Sequence, residues 1–308
     1  MKGNRLFLAA VMAGICLRPA AAGPISYNYI QIDYPGAKDT YVYGMNDQGQ
    51  VVGYYDTAGG LISGFLWSSG VFRQLDYPQS LSTYVFGISN DGTIAGYYTL
   101  ASGSYGFTYN LNTDTLNVGP QGVTLRAINN NDQVLAHPLG TPNYYIAAQG
   151  GSSSQLPAYP GAVSTTYRGI NSSGSATGWF TDAGNAQHAF LYSGGSFVAI
   201  PCPAVSGAFG MNDSGTVALF SGADQSYFYS GGSCTALSPP LGADFMQVET
   251  VNNRGDFGGL LGFPGQQSYH GFIALETPEP ATAGLALIGL LVCAALWKRG
   301  ARRAGLTL

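Results

Sequence analysis

Hydrophobic and polar positions recur along this chain in one short pattern: an apolar residue, a polar turn closed by glycine, then β-branched residues alternating with small ones. Three copies read Gly44-Met45-Asn46-Asp47-Gln48-Gly49-Gln50-Val51-Val52-Gly53, Gly87-Ile88-Ser89-Asn90-Asp91-Gly92-Thr93-Ile94-Ala95-Gly96 and Gly169-Ile170-Asn171-Ser172-Ser173-Gly174-Ser175-Ala176-Thr177-Gly178. Three more align without gaps from Ala127, Gly210 and Thr250. The starts at 44, 87, 127, 169, 210 and 250 lie 43, 40, 42, 41 and 40 residues apart, a period of about 41. Alternation at period two around a turn predicts β-hairpins, not helices.

The turn chemistry is carried by two columns. The third holds Asn46, Ser89, Asn129, Asn171, Asn212 and Asn252, and the sixth holds Gly49, Gly92, Asp132, Gly174, Gly215 and Gly255. Asn and Ser side chains bond to backbone amides two residues on, and glycine accepts the left-handed conformation that closes such a turn. A calcium loop is the rival reading of Asn-Asp-x-Gly, but the run lacks the alternating acids and distal Glu of an EF-hand.

A third strand follows each hairpin, as in Gly64-Phe65-Leu66-Trp67, Gly106-Phe107-Thr108-Tyr109 and His188-Ala189-Phe190-Leu191-Tyr192, and a fourth follows a Gly- or Ser-rich turn, as in Phe72-Arg73-Gln74-Leu75-Asp76. Four strands per period make one propeller blade. The sixth unit stops after its third strand at Leu275, while Ile30-Gln31-Ile32-Asp33-Tyr34-Pro35 near the start matches Arg73-Gln74-Leu75-Asp76-Tyr77-Pro78. An N-terminal strand that completes the last blade leaves no open sheet edge. The expected fold is all-β, a six-bladed β-propeller over residues 23–277, with an open solenoid as the alternative.

Both ends read as targeting segments. Met1–Ala22 carries Lys2 and Arg5, an apolar run from Leu6 to Leu17, and Ala20 and Ala22 as the small residues of a cleavage site before Gly23. This is the pattern of a secretory signal peptide. Ile15 precedes Cys16 where a lipoprotein signal needs a small residue. At the other end, Pro278-Glu279-Pro280 is followed by an uncharged stretch from Ala281 to Trp297 and then by Lys298, Arg299, Arg302 and Arg303, with a short tail over 304–308. Seventeen residues make a helix of roughly 25 Å, at the short limit for crossing a bilayer. The four cations predict a cytoplasmic C-terminus and an external body.

The order of Pro278-Glu279-Pro280, hydrophobic helix and Arg-rich cluster resembles the PEP-CTERM sorting signal of Gram-negative bacteria, which spans 278–303 here. The resemblance implies export across the inner membrane, a transient membrane anchor, processing by an exosortase and delivery to the cell surface or the extracellular space in bacteria that make exopolysaccharide. The His188-Ala189-Phe190 and His270-Gly271-Phe272 strands also resemble extracellular HAF repeat proteins, although only the fourth and sixth units keep the histidine. That resemblance implies export and a repeat body, and supplies no activity.

Charge narrows the partners. Residues 23–277 contain the cations Lys38, Arg73, Arg126, Arg168 and Arg254 against fifteen acids, the sixteen of the chain less Glu279, so 5 − 15 gives −10. A body of that sign repels nucleic acid and anionic lipid. Cys202 and Cys234 are the cysteines of the body. An exported pair permits a disulfide, but the repeat alignment puts them at opposite ends of corresponding strands in successive units, which argues against the bridge.

No zinc helix, nucleophile elbow, cofactor fingerprint or metal-ligand motif occurs, and no catalytic residue is assigned. His188 and His270 share a repeat column and read as structural. Loop acids Asp39, Asp56, Asp114, Asp182, Asp224 and Asp244 keep open an enzyme acting on polysaccharide through paired carboxylates. The preferred ligand candidates are aromatics that follow the second strand: Tyr54, Tyr55, Tyr97, Tyr98 and Trp179. Adjacent aromatics on a strand face opposite ways, so one packs inside while its neighbour can cover the apolar face of a sugar. The expected function is a non-enzymatic binding module for exopolysaccharide or a matrix protein in biofilm, with a purely structural matrix protein as the alternative.

Overall fold

The computed structural model describes residues 25–148, 151–221, 224–240 and 242–277. The expectations for the signal peptide, the cleavage site at Ala20, Ala22 and Gly23, and the sorting signal from Pro278 onward lie outside the described residues. Tyr27–Glu276 forms one compact unit. Among the described residues every regular element is a strand, and no helix is long and apolar enough to cross a membrane.

The strands are antiparallel meanders. β1 (Ser26–Ile32) comes first, and then β2 (Thr40–Met45), β3 (Val51–Asp56), β4 (Ile62–Ser68) and β5 (Val71–Gln74) form one four-stranded sheet. The next two runs are β6 (Ser82–Ile88), β7 (Thr93–Leu100), β8 (Gly103–Asn110) and β9 (Thr115–Gln121), and then β10 (Val123–Ile128), β11 (Val134–Pro138), β12 (Tyr144–Ala147) and β13 (Ser153–Leu156). Two more four-stranded sheets follow. The first is β14 (Ser164–Ile170), β15 (Ala176–Thr181), β16 (Gln187–Ser193) and β17 (Ser196–Ala199). The second is β18 (Val205–Met211), β19 (Val217–Ser221), β20 (Ser226–Ser230) and β21 (Ser233–Leu237). The last sheet has the order β1-β24-β23-β22, from β22 (Phe245–Val251), β23 (Phe257–Gly262) and β24 (His270–Thr277), so the first strand completes the last meander.

This is a β-propeller arrangement, but the expected six separate blades are not what the sheets form. Four sheets stand alone with four strands each, and β6–β13 belong to a single eight-stranded sheet. A lone parallel bridge, Val123 to Tyr105, joins β10 to β8. The cause is the connection. Other meanders are linked by five or seven residues, whereas only Gly122 separates β9 from β10. That link is too short to carry β10 away from β8.

Among the described residues the apolar core falls into six clusters, each joining one meander to the next. One spans Val52 and Leu66 with Val85, Ile94 and Tyr98, and another spans Ile32 and Ile273 with Val42 and Phe65. Alternating strand residues face both neighbouring sheets, which is why the strands read as apolar on both faces. Phe65, Phe190, Phe257 and Phe272 are fully buried in these seams, and each contributes about 1.5–3 kcal/mol by burial.

Cys202 and Cys234 are bonded, which overturns the expectation drawn from the repeat alignment. Cys202 lies in the connector that enters β18, not in a strand, and that connector runs beside Cys234 on β21 with the Cα atoms 5.6 Å apart.

Candidate functional site: the propeller axis and an outer cleft

The third-column side chains do two jobs. In Asn46, Oδ1 accepts from the backbone amides of Gln48 at 3.2 Å and Gln50 at 3.0 Å, while Nδ2 donates to the main-chain oxygen of Ser89 in the next unit at 3.1 Å. The same reach joins Asn129 to Asn171, Asn171 to Asn212, Asn212 to Asn252 and Asn252 back to Asn46. The turns therefore form a closed ring about an axis. Gly49, Gly92, Gly174, Gly215 and Gly255 close these turns at positive φ between 74° and 86°.

The fourth column makes a second ring. The backbone amides of Asp47, Asn90, Ser172, Asp213 and Asn253 each donate to the next unit's side-chain oxygen, at 2.8–2.9 Å. The gap falls at Asn130, whose neighbour in the column is Ser172. Asn253 Nδ2 bridges Asp47 and Asp213, 3.1 Å from a carboxylate oxygen of each. Burial raises the Asp213 carboxyl, but bonds from Ser172 and Asn130 outweigh it and hold the group below the usual carboxylate range.

One residue before each repeat start, the innermost strand carries an irregularity. Register skips Tyr43, Phe86, Arg126, Arg168 and Glu249, leaving each as an extra residue opposite the second strand, and a wider irregularity contains Phe209. A bulged residue leaves the pleat and its side chain is re-aimed. All six line one cavity of about 90 Å³, which the two rings of turns complete. Glycine stands opposite the bulge in four units, while Ala136 and Leu219 take that column in the third and fifth. A Cβ on Gly53 would overlap the main-chain oxygen of Tyr41, and Gly96, Gly178 and Gly259 stand in the same relation to Tyr84, Thr166 and Gln247.

This column of Tyr, Phe, Arg, Arg, Phe and Glu was not singled out from the sequence. The available signal was positional: two of the five body cations, Arg126 and Arg168, share one repeat column with Glu249. Arg168 meets Glu249 at 3.7 Å and lies 5.7–5.9 Å from the ring centroids of Tyr43, Phe86 and Phe209. Arg126 lies 5.3 Å from the centroids of Phe86 and Tyr97. Burial pushes the Glu249 carboxyl up to about 7, against the opposing pull of Arg168.

The aromatic candidates divide by face. Tyr55 and Tyr98 are buried and stacked face to face on Tyr34 and Tyr77 at 3.7 Å, so neither offers a ring to a sugar. Packing between meanders has claimed them. Tyr54 and Tyr97 turn towards the axis, where they join Tyr41, Tyr43 and Tyr84 in a half-buried aromatic cluster. The Tyr54 hydroxyl is 3.1 Å from that of Tyr43, and burial raises it to about 12. Trp179 packs on Phe209 at 5.9 Å.

Among the loop acids, Asp39 and Asp56 come together. Asp56 is raised by burial first and then by the Asp39 charge and a hydrogen bond to it. Asp182 instead pairs with His188 at 2.8 Å, and Asp33 pairs with His270 at 2.9 Å across the joint between β1 and β24. Among the described residues no cluster of three His, Cys, Asp or Glu residues is placed to hold a metal ion.

A second cavity, of about 330 Å³, opens between β5 and the β8–β9 hairpin. Arg73 donates to the Tyr109 hydroxyl at 2.9 Å, and that hydroxyl donates to Asp114 at 2.6 Å. Tyr77, Pro78, Phe107 and Leu116 add apolar walls.

No family model matches the chain, and no curated protein matches it. Solved structures resemble it at low identity. Virginiamycin B lyase from Staphylococcus aureus is 14% identical with a TM-score of 0.48, covering 84% of this chain and 90% of that one. The β-propeller domain of the Trilobed protease from Pyrococcus furiosus is 12% identical with a TM-score of 0.48, covering 77% of this chain and 83% of that one. AofleA from Arthrobotrys oligospora is 12% identical with a TM-score of 0.47, covering 82% of this chain and 93% of that one. These likenesses concern the fold and carry no argument about activity.

Proposed function

We propose that this chain is an exported, exosortase-sorted protein whose body is a non-enzymatic binding module for exopolysaccharide or another component of a biofilm matrix. In this reading the eight-stranded sheet counts as two blades of a six-bladed propeller, and the membrane anchor at the C-terminus is transient. The observation that carries the binding reading is the outer cleft. Its 330 Å³ lies within the roughly 300–1,000 Å³ of small-molecule pockets. It combines the aromatic side chains of Tyr77 and Tyr109 with the planar hydrogen-bonding groups of Arg73, Gln74 and Asp114. Rings cover the C–H faces of sugars, and guanidinium, amide and carboxylate groups bond their hydroxyls. The cleft thus replaces Tyr55 and Tyr98 as the sugar-facing surface.

Full-length protein in mild detergent, sedimented with purified exopolysaccharide of the producing cell, tests this. Saturable co-pelleting that Tyr109→Ala and Arg73→Ala abolish is the expected result. Wild-type protein that stays in the supernatant at every polysaccharide concentration overturns it.

A second reading, an enzyme acting on polysaccharide, draws on the contact between Asp39 and Asp56. New reducing ends in the same tubes, lost in Asp56→Asn, would favour it.

A further inference from the structure

We infer that the axial cavity is a binding site for one small oxyanion, held by Arg126 and Arg168. The body carries a net charge of −10 with five cations, yet two of those five meet at the axis. Both guanidinium groups lie within 5.8 Å of the ring centroid of Phe86, and both line the same 90 Å³ space. Glu249 is the one carboxylate on this bulge column, and it stands 3.7 Å from Arg168. Arg126 forms no ion pair with a carboxylate among the described residues; it lies against the rings of Phe86 and Tyr97 and hydrogen-bonds the Tyr97 hydroxyl. That bond uses part of its donor set, and a ring face attracts a cation but accepts no strong hydrogen bond from it. Each guanidinium has five N–H donors in a planar fork that matches an oxyanion.

Both arginines are partly buried, and three carboxylates, Glu249, Asp47 and Asp213, line the same cavity. Asp47 and Asp213 are held by the asparagines of the turns, and among the described residues only Glu249 forms an ion pair with either arginine. Guanidinium donors are thus left facing the space, and an oxyanion between them takes those donors and bridges the third and fourth units of the ring. The size of the cavity sets the class of ligand. At 90 Å³ it holds several waters and is well below the roughly 300 Å³ at which small-molecule pockets begin. Sulfate, phosphate or acetate fits this description, and a sugar ring does not. The route in passes the ring of turns, where the Asp47 and Asp213 carboxylates are already bonded by Asn90, Asn130 and Asn253. The site is separate from the outer cleft, so its test does not depend on the glycan reading.

The test uses full-length protein in mild detergent, titrated with sodium sulfate and, separately, sodium acetate against chloride at constant ionic strength. Binding heat and the unfolding midpoint are followed. Sulfate also stabilises proteins by exclusion from their surfaces, but that effect does not saturate and is common to all variants. The expected result is saturable binding that Arg126→Gln weakens by about tenfold or more, the loss of a set of charge-assisted hydrogen bonds. Glu249→Gln removes the carboxylate competing for Arg168 and should tighten binding. Asp114→Asn in the outer cleft should leave it unchanged. No saturable binding of either anion, or equal affinity in wild type and Arg126→Gln, overturns the site. If Arg126→Gln does not fold, Glu249→Gln decides: unchanged or weaker affinity overturns it.

Discussion

Ser89 donates its hydroxyl to the Asp132 carboxylate of the next unit at 2.9 Å, and these two residues are the departures from the Asn and Gly columns of the turns. Serine lacks the amide with which Asn46 or Asn171 reaches the following turn. Asp132 sits at the glycine position with φ of 55°, and its carboxylate accepts the bond that the missing amide would have made elsewhere. One exception compensates the other, and the ring stays continuous between β6–β7 and β10–β11.

Ser89→Ala is therefore expected to cost about 1–3 kcal/mol, since it removes the hydroxyl that the Asp91 and Asp132 carboxylates share. Ser89→Asn combined with Asp132→Gly restores both columns and should recover wild-type stability. Urea unfolding of the two singles and the double should give a coupling energy of about 1 kcal/mol or more. Strict additivity would count against the compensation.

Glu249 predicts a pH dependence with a definite sign. Its carboxyl is raised by burial from 4.5 to about 7 in the folded protein, so the folded state binds the proton more tightly than the unfolded state. Stability from this group is complete below pH 4.5 and is lost as pH rises through 7. The span corresponds to about 3 kcal/mol at 1.36 kcal/mol per unit. Wild type minus Glu249→Gln, measured by urea unfolding from pH 4 to 8, should fall by that order across the window. A flat difference would mean that the carboxyl is not buried as described.

The Cys202–Cys234 bond closes a loop of sequence separation 32 in the fifth meander. Replacing both with serine should lower stability by about 3–4 kcal/mol on the chain-entropy account, while the strands of β18–β21 keep their pairing. Chemical unfolding with and without reductant, compared with the double serine variant, checks this. Reductant should bring the wild type to the level of the variant.

Two glycines of one hairpin separate close approach from backbone conformation. Gly49→Ala has open space around its Cβ and meets only the φ of 74°, a cost of about 1–2 kcal/mol. Gly53→Ala would drive its Cβ into the Tyr41 carbonyl oxygen that the bulge at Tyr43 brings near. It should cost more than about 3 kcal/mol, in the range of the most damaging substitutions. Thermal unfolding of the two variants side by side gives the order.

The local rules were legible because they act over a few residues. Period-two alternation, the Asn and Gly columns and the 41-residue spacing specify hairpins and their repetition. The match of Ile30–Pro35 to Arg73–Pro78 anticipates that β1 completes the sheet of β22–β24. What lay beyond the sequence depends on where meanders meet. A linker of one glycine merged β6–β13 into a single sheet, and the connector before β18 brought Cys202 to Cys234. Whether a tyrosine is a platform or a core residue was decided by the neighbour it packs on, Tyr34 for Tyr55 and Tyr77 for Tyr98. The charged axis is the clearest case. The sequence by itself determines that Arg126, Arg168 and Glu249 occupy one repeat column. Only the closed ring brings that column to a point, because residues about 40 and 80 apart along the chain become neighbours when six innermost strands converge on one axis.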